Sequence, residues 1–445
     1  MTQSEQIAPG AEADDPEAKP PSLWKNHDYM GWWLSNTVSV LGTSMSAIAF
    51  PLLVLYTTHS VARAGSVTSA EMIGTLVTTL WGGALADRVS RKAIMLLSPL
   101  FQAAAMAVVA LSVSSGHSPI ALLAACAGIS GLAFGIGQGA ATPALRRIVP
   151  KQQQAAATAQ ELGRDAAAQL IGSPLGGILF ALARWIPFGA DAASFAFASL
   201  GALFIRRPLG PDRDNRAVRS STVADIKSGF KFVRRHPFLR FVVIWASLFN
   251  AITQGFILLF IALVRYRGGG PDAVGVVSAV ALFGGVVGAV VGPLLLQRLR
   301  ARYVLYVAIW IFVVSFLVVA FVPTPWAIGL VLLVAMLGVA PLNMVMETYL
   351  VRLVPDLFSG RVSAVNRFGA QSLQWCGPLL AGFIADLLGP PGAAIVFTAL
   401  LVPLALALHL SKSLNILAKP VDQVTDLDAP GEVRGDATAP ETSPE

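Results

Sequence analysis

Apolar stretches recur along this chain, and each is followed by a short charged or glycine-containing break. Twelve such runs can be read, at 29–57, 65–86, 92–114, 119–145, 153–183, 187–206, 239–264, 272–296, 303–322, 326–351, 361–387 and 391–411. An α-helix rising about 1.5 Å per residue crosses the hydrocarbon core of a bilayer in about 20 residues, so each run is long enough to span it. Runs of this length and apolarity make the expected fold class an all-α polytopic membrane protein.

Composition agrees. Hydrophobic residues make up 55% of the 445 and charged residues only 13%, which leaves no room for a large soluble catalytic domain. The net charge of +7 sits in short runs between apolar segments, so nucleic acid is not an expected partner. Cys126 and Cys376 each lie inside an apolar run and read as small hydrophobes. The five histidines are scattered without metal-ligand spacing, and there is no phosphate-binding Gly-x-x-x-x-Gly-Lys-Ser/Thr loop. Neither a metal nor another cofactor is therefore expected. Residues 1–22 lack the basic start and apolar core of a cleavable signal peptide.

The connections set orientation. With both termini in the cytoplasm, the inner connections hold 21 Lys and Arg residues against four outside, Arg63, Arg184, Arg265 and Arg267. The positive-inside rule then predicts a multi-pass protein of the cytoplasmic membrane with both termini inside. Only the connection from Arg206 to Arg240 is long, and it divides the spans into six and six. The expected organisation is an acidic, disordered cytoplasmic tail (1–22), an N-terminal lobe (23–206), a linker (207–238), a C-terminal lobe (239–411) and a second disordered tail (412–445). From Val223 to Arg240, Ile226, Phe230, Phe232 and Val233 interleave with Lys227, Lys231, Arg234 and Arg235. That pattern suits an amphipathic basic helix on the acidic leaflet, or a solvated linker.

Sliding the chain by 205 residues superposes Leu145, Arg147, Val149 and Pro150 on Leu350, Arg352, Val354 and Pro355. It also superposes Gln169, Gly172, Leu175 and Gly177 on Gln374, Gly377, Leu380 and Gly382. Two parallel six-span repeats are an architecture of secondary transporters.

Several motifs carry a resemblance to a known family. Gly83-Ala84-Leu85-Ala86-Asp87-Arg88 with Arg91-Lys92 resembles the loop 2-3 signature of the major facilitator superfamily, with Ser90 where glycine is usual. Gly172-Ser173-Pro174-Leu175-Gly176-Gly177 resembles its span 5 antiporter motif, and Gly377-Pro378-Leu379-Leu380-Ala381-Gly382 is the second-half counterpart. Leu23-Trp24-Lys25-Asn26, Gly229 to His236-Pro237 and Gly360-Arg361-Val362 resemble the narrower group of drug and siderophore exporters related to macrolide efflux proteins and the enterobactin exporter. The resemblance implies twelve helices in two pseudo-symmetric six-helix lobes rocking about a central cavity. It also implies export of a hydrophobic or amphipathic small molecule, with a proton as coupling ion. The alternatives are proton-coupled uptake of a metabolite, a non-transporting sensor and a membrane enzyme. A monomer embedded in the lipid bilayer is expected.

In the family the loop acid meets the start of span 11, so Gly83, Asp87, Arg88 and Arg91 with Gly360 and Arg361 are the expected inner gate; the alternative is that Asp87 and Arg88 only flank a turn. Glu161, Arg164 and Asp165 share a helical face about 10 Å inside span 5, where charge is costly unless paired or wetted. Arg164 can neutralise only one of the two acids, which leaves the other to carry a proton; pairing within the bundle is the rival reading. Glu71, alone in the outer part of span 2, is a second candidate for proton coupling or for recognising a cation, or else an acid near the outer water. Trp375, Arg367 and Glu347 are candidates for the substrate cavity, and Glu347 also lies near Arg352. Asp191 reads as a helix-terminus acid. Gly172, Pro174, Gly176, Gly177, Gly377 and Pro378 are expected to let helices pack closely.

Overall fold

The computed structural model describes residues 22–86, 89–205, 222–411 and 413–414. Asp87 and Arg88, both tails and most of the linker lie outside the described residues. Those described form helices with no strand.

The first lobe contains α1 (His27–Thr58), α2 (Val61–Ala86), α3 (Arg91–Ser114), α4 (Ile120–Ile148), α5 (Gln154–Leu182) and α6 (Ile186–Phe204). Asn26 of the Leu-Trp-Lys-Asn motif starts it: its side chain accepts from the Tyr29 N–H at 3.2 Å and donates to the Ile148 carbonyl at 3.1 Å. One residue thereby caps α1 and ties it to the end of α4. Lys92 donates to the Leu203 and Ile205 carbonyls at 3.1 and 2.8 Å, which places a cation on the carboxyl end of α6.

The linker helix α7 (Thr222–Arg235) buries Phe232 and Val233 and packs on α13 and α8, while Lys227, Lys231, Arg234 and Arg235 stay exposed. It ends before Arg240 because Pro237 opens the next helix and restricts the backbone of His236. The second lobe contains α8 (Pro237–Tyr266), α9 (Pro271–Arg298), α10 (Ala301–Phe321), α11 (Pro325–Leu337), α12 (Val339–Leu353), α13 (Asp356–Gln371) and α14 (Cys376–Leu410).

Two expected spans are broken. The tenth is interrupted at Gly338 and the eleventh at residues 372–375. Each break lies about one turn before a proline, Pro341 and Pro378, whose ring clashes with the carbonyl four residues back and cannot donate to it. In contrast, α14 joins two spans. Gly389 adopts a φ of +73°, open to glycine at little cost, and Pro390 follows it. The chain folds back there: a side chain at Gly255 would meet both Gly377 and Phe397, 20 residues apart and about 30 Å apart along a straight helix. With α11–α12 read as one span and α13–α14 together as two, the described helices other than α7 make twelve crossings.

The duplication has a structural counterpart. Gly172 lies against Leu41 and Ser44 of α1, and Gly377 lies against Ala251 and Gly255 of α8, so each packs on the first span of its own lobe. Five residues later, Gly177 meets Pro271 and Gly275 of α9, and Gly382 meets Val61 and Ala62 of α2, each in the opposite lobe. Small residues allow this backbone approach.

Replacing Gly377 with valine should cost about 1 to 3 kcal/mol, because the added atoms meet the Ala251 carbonyl and the Gly255 backbone. Gly31→Ala, with nothing within 4 Å, is the neutral control. Thermal unfolding of the purified protein checks both, and an unchanged midpoint for Gly377→Val would refute the close packing.

Candidate functional site

The lobes meet around a cavity of about 860 Å³. Towards the linker its lining reaches Trp32, Met95, Thr158 and Ile205, close to the ends of α1, α3, α5 and α6. Away from the linker it stops at Ile48, Ser173, Ile261 and Ser278, one or more turns short of the helix ends. The space therefore opens at the linker end and is closed at the other.

The walls differ in chemistry. The first lobe contributes Asn36, Gln102, Gln138, Gln169, Glu161 and Arg164, whereas the second presents mainly Phe256, Phe260, Leu282, Phe316, Leu332 and Met336. Phe256 and Phe316 stack at a centroid distance of 3.5 Å, forming an aromatic surface opposite the polar one.

All three residues of the span 5 cluster line the cavity. Arg164 binds Asp165 Oδ1 through Nε at 2.9 Å and Nη2 at 2.8 Å, and its guanidinium lies 5.5 Å from the centre of the Trp32 ring. The arginine side chain is only 6% exposed and its Nη1 has no partner, whereas Asp165 is 39% exposed. Glu161, one turn nearer the linker, makes no ion pair among the described residues. One cation is thus committed to one acid, and a second carboxylate is left facing the cavity.

Other sequence candidates lie elsewhere. Trp375, Arg367 and Glu347 are not part of the cavity lining, which corrects the expectation for these three. The Trp375 carbonyl accepts from Ser69 Oγ at 2.6 Å in the contact between lobes, because the break before Pro378 turns this residue towards α2. Arg367 and Glu347 are exposed on α13 and α12. Glu71 does not line this cavity either. Asp191 is not at a helix end: it is the sixth residue of α6, 1% exposed, and accepts from Ser194 Oγ at 3.2 Å. Gly83 falls in the last turn of α2 and Arg91 is the buried first residue of α3. Gly360 has open space around it, while the Arg361 backbone lies against Gly229 of α7.

The closed end is held by residues that sequence reading passed over. Asp386 of α14 accepts from Ser60 Oγ at 2.6 Å and from the Val61 and Ala62 N–H groups at 2.8 and 3.3 Å, which caps α2 from the other lobe. Arg265 of α8 donates to the Leu55 carbonyl at the end of α1 and contacts His59 Nδ1 at 3.0 Å. An acid therefore meets the amino end of one helix and a cation the carboxyl end of the preceding one, the favourable sense for both dipoles. The signal for Asp386 was its place just before Gly389-Pro390-Pro391, which marks the end of a span but not its partner. Asp386→Ala should remove about 1 kcal/mol of closure and raise the share of molecules open at this end several-fold. Distances between spin labels on the outer ends of α2 and α14 measure this, and an unaltered distribution would show that the cap does not hold the closed state.

Among known proteins, the family model described as Major Facilitator Superfamily matches residues 32–373. The chain is 26% identical over 403 residues to the multidrug efflux pump Tap of Mycolicibacterium fortuitum, covering 87% of this chain and 94% of that one. Its fold is similar to that of the nucleoside transporter NupG, with a TM-score of 0.65 at 17% identity, covering 85% and 98% of the two chains. It is also similar to a bacterial homologue of the iron transporter ferroportin in its inward-facing state, with a TM-score of 0.63 at 15% identity and coverage of 86% and 99%. The family match over most of the chain, on a fold of two six-helix lobes around one cavity, makes this protein a member of the major facilitator superfamily, a multi-pass membrane transporter.

Proposed function

We propose that the protein exports hydrophobic or amphipathic small molecules, of the drug, macrolide or siderophore-like kind, by alternating access coupled to proton antiport. The observation that carries this reading is the divided cavity: amides and charges on the wall of the first lobe, phenylalanine and aliphatic side chains on the other. A ligand with one polar and one apolar side desolvates favourably against such walls without needing a unique set of hydrogen bonds. The basic bias of the connections supports a cytoplasmic-membrane protein with both termini inside, in which the cavity opens to the cytoplasm, the loading side for export. The similarity to a multidrug efflux pump supports the same direction.

Glu161 is the residue in the path of the substrate. With Arg164 engaged by Asp165, its carboxylate is available to bind a cationic group or a proton, and exchange of one for the other is the minimal step of antiport. Uptake of a metabolite uses the same machinery in the opposite direction, and transport direction separates the two.

In everted vesicles, addition of a dye or macrolide substrate should dissipate an imposed proton gradient while the compound accumulates. Indifference to the gradient would sink the coupling. In an efflux-deficient host the protein should lower susceptibility to macrolides, dyes or chelators. Glu161→Gln should abolish this protection at unchanged membrane expression, and full protection by that variant would refute the assigned role.

A further inference from the structure

The second lobe carries a groove on its outer surface, apart from the cavity. It encloses about 450 Å³ and is lined by Tyr306, Val307, Trp310, Ile311, Val314 and Ser315 of α10 with Val334 of α11. None of these residues lines the cavity. Val307, Val314 and Val334 are exposed, so the groove lies open to the surrounding hydrocarbon.

One end of the groove is cationic. At the linker end of the lobe, the short connection from α9 to α10 carries Arg298, Arg300 and Arg302 within five residues. Arg302 Nη2 donates to the Tyr303 hydroxyl at 2.9 Å, and its guanidinium lies 4.7 Å from the centre of that ring. Tyr303 meets Tyr306 edge-on at 6.5 Å, Tyr306 stacks on His409 of α14 at 3.9 Å, and Trp310 lies 6.4 Å from the same imidazole. A row of rings therefore leads from the Arg302 guanidinium into the groove.

No carboxylate neutralises these arginines among the described residues. From Gly292 to the end of α10, along α11 and along α14 beyond Gly389, the sequence has no acid. Glu347 of α12 is exposed, and neither it nor any of the three arginines makes an ion pair among the described residues. Arg302 Nε is buried without a hydrogen-bond partner. A guanidinium in this state is completed by an anion, and phosphate is the anion that its fork of donors matches.

The length of the groove says what carries the phosphate. Arg302 and Val314 are 12 residues apart, about 18 Å along the helix, and one leaflet's share of the hydrocarbon core is about 15 Å. A cation above an apolar channel one leaflet deep fits a molecule with a phosphate at one end and an acyl chain at the other. A zwitterionic head group would bring an ammonium among three uncompensated guanidinium groups, so the fit is to a lipid of net negative charge. We propose that this surface binds an anionic phospholipid of the leaflet at the linker end, with its phosphate on Arg302 and an acyl chain along Tyr306, Trp310 and Val314. The site stands independently of transport direction and of the coupling ion.

Native mass spectrometry of the purified full-length protein, titrated with phosphatidylglycerol or phosphatidylcholine, tests it without a transported substrate. The wild type should hold phosphatidylglycerol about tenfold more tightly, the worth of one charge-assisted hydrogen bond, and equal retention of the two lipids overturns the site. Arg302→Gln should lose that factor. Val314→Trp, at a position 56% exposed, fills the groove and should weaken binding with the arginines intact. Full affinity in either variant overturns the proposal. Lys231→Gln, on the exposed face of α7, should bind as the wild type does, and loss of binding there but not in Arg302→Gln would assign the lipid to the linker helix instead. Glycerophosphoglycerol, the head group without chains, should not displace the lipid. Displacement would show that the arginines take a soluble anion and would refute the role of the groove.

Discussion

The turn between α1 and α2 is held from outside its own lobe, and the closed end of the cavity depends on it. Asp386 fills the empty amino end of α2, and Arg265 adds a second donor to the Leu55 carbonyl that the His59 N–H already holds, so both helix ends at this turn of the first lobe are bonded by groups of the second. Backbone groups at helix ends must be satisfied by something, and here satisfaction by protein coincides with closure. Parting the lobes exchanges these partners for water, so the contact is reversible at modest cost.

Glycine makes that arrangement possible. Gly65, Gly177, Gly275 and Gly382 bring backbones into contact across the lobes, so dispersion and shape add to the charged caps in the seal. A seal of this kind has two discrete states, packed or parted, because close-packed backbones do not deform gradually. The cavity inherits its one-sided opening from it.

The acids of the first lobe lie in different surroundings. Around Glu161, Arg164 and Asp165 a single cation sits over Trp32, paired with one acid and facing the cavity. Asp191, in contrast, is almost fully buried and accepts from Ser194. These acids belong to a single lobe, yet Glu161 and Asp165 line the cavity and Asp191 is enclosed between helices.

The number of spans, the two-lobe division and the duplication were readable in sequence because hydrocarbon imposes a length on every crossing and small-residue motifs recur at a fixed offset. The spacing of Glu161, Arg164 and Asp165 likewise placed them on one face, and they share the cavity. Pro341 and Pro378 carried a signal for the broken spans that the apolar runs concealed, since hydropathy is blind to a missing N–H. What sequence could not supply is contact between residues far apart in the chain: that Asp386 caps α2, that the Trp375 carbonyl meets Ser69 across the lobes, and that Asp191 lies against Gly42. Hydrophobicity and helical period are properties of a single segment and survive in the sequence alone. Partnership between side chains depends on how twelve segments rotate and tilt against one another, and only the tertiary packing decides that.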